Sequence, residues 1–572
     1  MYWMDEYNKW ISSPYVDDEL KSELKSIENN EDEIKERFYK NLEFGTAGLR
    51  GIIEAGTNRM NIYTVRKATQ GIAADIINCG KASEGVVISY DSRNKSREFA
   101  METAKVLAAN GIKAYVFDEL RPVPELSFAV RYLKTARGIM ITASHNPKEY
   151  NGYKAYGPDG SQLSPESSDY VTSIIDSIDI FDGVKVMDEA EAKAKGLIEI
   201  IGENVDVPYL NAVKEQSINE ESYKILGDDF KVVYSPFHGS GNKPVRCILD
   251  MTGLKNVIVV PEQELPDPNF STVKSPNPEE KEGFTLAIEL ANKENADLVF
   301  ATDPDCDRIG VVVKTANGDY VTLNGNQLGM LLTEFIFRNK KAKGTLPDNG
   351  ALVKTIVSTS MAYPIAKDYG VKVYDVLTGF KFIGEMIKDF EENDYYNQYL
   401  FGFEESYGYL AGTHARDKDA VVASMLTCQM AADYKVQGMT LYEGLINLYE
   451  KYGYYLERTT TKSLTGIDGA EKIKAMMESA RENPVTEIDG VKVAELWDVS
   501  KGTATMADGT VKELDLPSSN VLKFIFEDNS WFAMRPSGTE PKIKFYFGVC
   551  KDSLDGANKA LDTFSEKILK MM

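Results

Sequence analysis

The chain has 572 residues, 43% of them hydrophobic and 27% charged, the balance of an ordinary globular protein, and its length implies roughly three to five domains rather than one core. A formal net charge of −23 speaks against nucleic acid or an anionic membrane as partner, yet leaves room for a phosphorylated small molecule in a local cationic site. Five scattered cysteines without a Cys-x-x-Cys pair, no signal-peptide pattern after Met1 and no apolar run of spanning length lead to the expectation of a cytoplasmic protein with reduced thiols and no zinc site.

Histidine is scarce: His145, His238 and His414 are the whole set. No Gly-x-Ser-x-Gly elbow and no His-Glu-x-x-His is present, so hydrolases of those kinds have no foundation here.

Residues 1 to about 40 read as an acidic, solvated helical extension. Phe44-Gly45-Thr46-Ala47-Gly48-Leu49-Arg50 follows, a glycine turn that lets backbone approach a ligand, with Arg50 as a fork suited to phosphate. From Val86 the cadence alternates strand and helix, which predicts a mainly parallel sheet covered on both faces. Val86–Asp91 is strand-like, Ser96 can cap the next helix, and Asp91-Ser92-Arg93 stands at a strand end, where Arg93 either steers phosphate or pairs with an acid.

Gly138–Ile141 reads as a buried strand leading into Thr142-Ala143-Ser144-His145-Asn146-Pro147. Asn-Pro stops regular structure, so Ser144 sits on a constrained turn, a reasonable place for a nucleophile. By itself it is equally a turn serine bonding its own backbone. An acidic stretch then runs to about residue 221, and the strand–helix cadence restarts at Phe230–Tyr234. His238, in a glycine turn, is given a structural role.

The strand Asp297–Thr302 delivers Asp303-Pro304-Asp305-Cys306-Asp307-Arg308. Side chains at i, i+2 and i+4 can converge on one face, and three carboxylates there repel unless a cation neutralises them. Oxygen ligands favour Mg²⁺, Mn²⁺ or Ca²⁺. An EF-hand is excluded, because Arg308 stands at the sixth position, where that loop needs glycine, and no glutamate stands at the twelfth. A hairpin about Asn317-Gly318 follows, then a third strand–helix block. It contains Thr378-Gly379-Phe380-Lys381 and the turn Phe403-Glu404-Glu405-Ser406-Tyr407-Gly408, whose Glu404 and Ser406 suit sugar hydroxyls. The last region is mixed and carries Arg535-Pro536-Ser537-Gly538-Thr539-Glu540-Pro541-Lys542, an arginine, two hydroxyls and a glycine amide that make a phosphate cradle.

Together these four loops resemble those of the α-D-phosphohexomutases, the phosphoglucomutase and phosphomannomutase superfamily, over almost the whole chain from Phe44 onward. The resemblance implies an α/β fold of three similar mixed α/β domains plus a smaller C-terminal α+β domain, with the active site in the central cleft. The expected limits are 1–40 for the extension, then 41–210, 211–323, 324–455 and 456–572. It further implies that Ser144 carries a phosphoryl group, and that one Mg²⁺ is held by Asp303, Asp305, Asp307 and the phosphoryl oxygen on Ser144. Arg50 would face the site, with Lys154 as the acid/base lysine and His145 as the second candidate for that role. Glu404, Ser406, Lys381, Arg308, Arg535, Ser537, Gly538 and Thr539 would bind the sugar phosphate.

The implied reaction interconverts glucose 1-phosphate and glucose 6-phosphate, with glucose 1,6-bisphosphate as intermediate and activator. The Glu-Glu-Ser form of the third loop is typical of phosphoglucomutases. Gly408 stands where dual phosphomannomutase/phosphoglucomutases have histidine, which tilts the reading towards glucose. Phosphomannomutase and phosphopentomutase activity remain as alternatives by the same chemistry. A phosphatase and a non-catalytic sugar-phosphate-binding protein are the readings from other classes. Oligomeric state has no signature in the sequence.

Overall fold

A computed structural model describes residues 2–45, 48–393, 396–464, 469–537 and 542–572. Among these the chain forms four sheets. The first has six strands in the order Leu49–Ile52, Tyr150–Tyr156, Arg137–Ile141, Val86–Tyr90, Ala114–Phe117 and Ile198–Ile201. The last four are parallel and the first two antiparallel. In the second sheet Leu298–Thr302, Val232–Ser235 and Val257–Val259 are parallel, and the hairpin Ile309–Lys314/Tyr320–Leu323 extends it. The third sheet sets Lys372–Val376, Gly350–Thr355 and Gln398–Glu404 in parallel and adds Gly408–Ala411 antiparallel.

The inner strands of these sheets are continuous apolar runs such as Val86-Val87-Ile88 and Leu298-Val299-Phe300, buried on both faces by flanking helices. The fourth sheet is antiparallel and its described strands all lie after residue 453, with Tyr454–Ser463 paired along its full length to Lys542–Lys551 and the helix Leu554–Met571 packed on one face. The expected class, three α/β units and a smaller α+β unit, is the class observed.

The expectation of a solvated extension needs correction. The helix Tyr2–Ser12 buries Trp3, Tyr7 and Trp10, and Trp10 is 0% exposed, with Phe38, Tyr63 and Phe181 edge-on at 5.8, 5.5 and 5.5 Å. The spacing 3, 7, 10 places these rings on one helical stripe, which must be covered. The third helix, Glu31–Phe38, ties back as well. Arg37 pairs with Glu23, with Glu33 at 2.8 Å and with Glu54 at 3.2 Å, and its carbonyl accepts from Asn58 N. The extension thereby braces the segment that follows the strand carrying Arg50, from Glu54 to Tyr63.

Ser96 does not cap its helix. It opens the helix Ser96–Ala109, its hydroxyl donates to Asp91 Oδ1 at 2.7 Å, and Lys95 before it is left-handed. The edge strand Ile198–Ile201 and the helices Phe380–Glu392 and Leu441–Tyr452 had no counterpart in the sequence reading. No helix among the described residues is long and apolar enough to cross a membrane.

Candidate active site

Three of the inner strands end where chemistry is concentrated. Past Arg137–Ile141 the chain turns sharply, and Ser144 adopts φ 52°, a left-handed conformation that a residue with a Cβ rarely takes. Its surroundings hold it there. Thr142 Oγ1 accepts from Ser144 N at 2.8 Å and donates to Asp91 Oδ2 at 2.7 Å. The buried Arg93 guanidinium donates to the carbonyls of Ser144, Asn146, Pro147 and Tyr150 and lies 3.2 Å from Asp91. Of its two predicted roles Arg93 therefore takes the structural one, moulding the serine loop from beneath.

Past Leu298–Thr302 the chain wraps around its own carboxylate. Asp303 Oδ1 accepts from the amides of Asp307 at 3.1 Å and Arg308 at 3.0 Å, and Cys306 at φ 51° makes the tight turn. Asp303, Asp305 and Asp307 are 0, 0 and 2% exposed, with carboxylate oxygens within 4.8 Å of one another. Asp305 Oδ1 and Asp307 Oδ1 are buried without a hydrogen-bond partner. Dry carboxylate oxygens left unsatisfied are costly unless a cation takes them up, so this donor set fits Mg²⁺. Ser144 Oγ donates to Asp303 Oδ2 at 2.9 Å, which joins the serine loop to the acidic loop. Burial, reinforced by Asp305 and Asp307, pushes the Asp303 carboxyl well up; at Asp305 the Lys154 ammonium overcomes burial and holds the carboxylate down.

Two lysines face the triad. Lys154, on the strand beside the serine loop, lies 2.8 Å from Asp305 and 3.6 Å from Asp307. Lys418 lies 3.1 Å from Asp307 and 3.0 Å from Asp417. Burial works against both ammonium groups, but the carboxylates more than offset it, so both are held protonated. Lys418 was not selected from sequence, where Gly412–Asp419 reads as the cap of a long helix. Asp419 does cap it, accepting from Val421 N and Val422 N. The signal lay in Gly408: a Cβ there would stand 2.2 Å from Lys418 Cδ, so the glycine opens the passage through which the lysine reaches Asp307.

His145 Nδ1 lies 3.1 Å from Ser144 Oγ. Burial, together with the cationic Arg308 and Arg50, pushes its pKa well down, so the ring is neutral. Arg50, on the edge strand Leu49–Ile52, donates to Asn146 Oδ1 at 3.0 Å. Arg308 pairs with Glu279 at 2.6 Å and bridges Gly408 through backbone. His238 is occupied elsewhere, between the Leu265 carbonyl and Thr272, as its structural role requires.

The third loop begins at Glu404, the last residue of its strand and 4% exposed, whose Oε1 accepts from Gly379 N at 2.7 Å. Burial raises its carboxyl pKa against the pull of Lys418. Glu405 accepts from Thr355 Oγ1 at 2.9 Å; Ser406 occupies the following turn, half-buried. Lys381 stands in the first turn of the helix Phe380–Glu392, and its pKa is lowered by burial and further by Arg535, while Glu385 opposes the shift. Arg535 stands on the strand Trp531–Pro536, and Ser537 N donates to Lys542 O at 2.7 Å across the hairpin base. Gly538 and Thr539 lie outside the described residues, as do Thr46 and Ala47 of the first glycine turn.

Four families match in sequence along the chain. They are the phosphoglucomutase/phosphomannomutase alpha/beta/alpha domains I, II and III at residues 41–180, 207–318 and 324–452, and the C-terminal domain at 473–558. A phosphoglucomutase of Staphylococcus saprophyticus is 39% identical over 519 residues, 90% of this chain and 91% of that protein. The fold is shared with the pp63/parafusin phosphoglucomutase of Paramecium in its open form, at TM-score 0.69 and 18% identity, covering 93% of this chain and 95% of that one. It is shared too with a phosphoglucomutase/phosphomannomutase family protein of Burkholderia thailandensis, at TM-score 0.64 and 17% identity, covering 91% and 96%. With all four domains matched in order, and a relative of that identity over nine-tenths of its length, the chain belongs to the phosphoglucomutase/phosphomannomutase family of isomerases.

Proposed function

We propose that the chain interconverts α-D-glucose 1-phosphate and glucose 6-phosphate through a phosphoserine at Ser144 and a glucose 1,6-bisphosphate intermediate. The observation that carries this reading is the 2.9 Å contact between Ser144 Oγ and Asp303, within a buried carboxylate triad fit for a divalent cation. When bound, Mg²⁺ held by Asp303, Asp305, Asp307 and an oxygen on Ser144 would supply charge neutralisation at the phosphoryl group.

The chain's own residues do the rest. The free hydroxyl of the sugar attacks the phosphoryl group on Ser144; the P–Oγ bond breaks, a P–O bond to the sugar forms, and the hydroxyl proton leaves to a base. His145, neutral and beside Oγ, is suited to accept a proton. Lys154, held cationic, is suited to donate one or to pair with charge on the transferring group. Glu404 and Ser406 orient the sugar hydroxyls. Arg535, Ser537, Gly538 and Thr539, with Lys381, hold the phosphate that is not transferred; Arg50 and Arg308 complete the cationic wall. After the bisphosphate turns around, its other phosphate returns to Ser144 by the same step in reverse.

Gly408, where dual phosphomannomutase/phosphoglucomutases have histidine, and the relatives named phosphoglucomutase support glucose over mannose phosphates. Five free cysteines support a reducing, cytoplasmic setting. The domain limits at 40, 210, 323 and 455 remain part of the proposal, the second of them falling within the helix Glu203–Lys214.

The test is covalent. Protein incubated with glucose 1,6-bisphosphate and Mg²⁺, then digested, should carry its phosphoryl group on the peptide containing Ser144. Phosphate on another residue, or none with full mutase turnover, would overturn the assignment.

A further inference from the structure

Lys523 is a buried amine that the proposed reaction does not use. It is 5% exposed, lies in the middle of the fourth sheet, and donates to the Ile356 carbonyl at 2.6 Å. Its Nζ lies over two indoles, Trp531 at 4.7 Å and Trp497 at 5.1 Å. Strand register explains the placement. Lys523 is opposite both Trp497 and Ala533, and Ala533 is opposite Tyr546, so the four form one row across the sheet. Arg535 stands two residues beyond Ala533 and therefore projects from the same face.

The turn this row meets belongs to the third unit. Ile356 and Val357 share an apolar cluster with Trp531, Ala533 and Tyr546. The residues flanking them, Thr355 and Ser358, donate to Glu405 in the sugar-binding turn at 2.9 and 3.5 Å. One short turn thus touches Glu405 through its hydroxyls and Lys523 through a carbonyl.

We propose that Lys523 is a positioning residue that docks the fourth sheet on the 355–358 turn, so that Arg535 and the Glu404–Ser406 loop face one ligand. The inference rests on the reading of Arg535 as a phosphate clamp. An amine in a dry interface, with one carbonyl partner and two aromatic faces, gives a directional tie where apolar packing alone would allow sliding. The groups facing it are Lys354, which opposes its charge, and Asp375 and Glu495, which favour it.

The experiment measures glucose 1-phosphate affinity by calorimetry in a Ser144→Ala background, with Mg²⁺ affinity titrated separately. Lys523→Met keeps the length of the side chain and removes its donor, Lys523→Arg restores a donor over the indoles, and Arg535→Ala reports on the clamp. Lys523→Met should weaken sugar-phosphate binding roughly ten-fold, the loss of one buried hydrogen bond. Mg²⁺ affinity should stay unchanged, and Lys523→Arg should recover most of the loss. Wild-type affinity in Lys523→Met, or an equal loss of Mg²⁺ and sugar-phosphate binding, would overturn the proposal while leaving the clamp intact. Undiminished binding in Arg535→Ala would remove the clamp itself and the proposal with it.

Discussion

Ser144 Oγ and Asp303 Oδ2 lie 2.9 Å apart although the residues are 159 positions apart in the chain, so the ends of two strands from different sheets meet at one hydroxyl. If that hydroxyl is the nucleophile, Ser144→Ala should lower mutase kcat by at least about 10³-fold. The far-ultraviolet circular dichroism and melting temperature should be retained, because the loop is moulded by Thr142 and Arg93 rather than by Oγ. Steady-state kinetics and a thermal melt check both.

Asp305 is the acid whose loss should be read most clearly in the metal. Asp305→Asn removes a charge from the triad and leaves Lys154 with Asp307 alone, at 3.6 Å. The Mg²⁺ concentration for half-maximal activity should rise at least about ten-fold. An unchanged Mg²⁺ titration would count against the metal loop.

Gly408→Ala tests the passage that Lys418 uses. The added Cβ would meet Lys418 Cδ at 2.2 Å, so the side chain must leave Asp307 or the loop must shift. Activity should fall about ten-fold or more, the cost of displacing one charge-paired group from the site. Gly408→Ala combined with Lys418→Ala should lose little beyond Lys418→Ala, and a double-mutant cycle checks this.

Trp10→Ala should destabilise the N-terminal helices by roughly 3–5 kcal/mol, since a fully buried ring against three aromatic partners is replaced by a cavity. Chemical denaturation measures the loss, and limited proteolysis should show early cleavage before residue 40.

A pH dependence follows from Lys523. Burial, with Lys354 adding to it, lowers its pKa to about 7, against an ordinary lysine value of 10.5. Between pH 7 and 10.5 the unfolded chain binds the proton that the folded chain has released, so this residue makes stability rise with pH through that window, by at most about 1.4 kcal/mol per pH unit. Below pH 7 both states are protonated and its contribution is flat. From pH 7 to pH 9 the stability of wild type should rise more than that of Lys523→Met, measured by denaturation midpoints; identical slopes in the two proteins would refute it.

Much of the site was legible because its loops are short motifs at strand ends, where residue types reveal chemistry directly: a constrained serine before Asn-Pro, aspartates at alternate positions, a carboxylate and hydroxyl in a turn. What escaped depended on contacts between distant segments. Lys418 reads as part of a helix cap until the Gly408 passage is seen. The stripe of Trp3, Tyr7 and Trp10 was present in the sequence, but the acidic composition around it masked the pattern. The edge strand Ile198–Ile201 sits between helices in a polar stretch, and pairing with Ala114–Phe117 is what makes it a strand. Ser96 followed cap chemistry in the sequence, yet Asp91 offered its hydroxyl a stronger, charged acceptor.

The central claim is most directly tested by assaying glucose 1-phosphate, mannose 1-phosphate and ribose 1-phosphate side by side, with Mg²⁺ and a trace of the matching bisphosphate, while free phosphate is followed in parallel. The account predicts the highest kcat/KM for glucose 1-phosphate and no release of phosphate. A preference for the mannose or ribose ester would contradict the glucose assignment while keeping the phosphoserine chemistry, and rapid phosphate release without isomerisation would contradict the mutase itself.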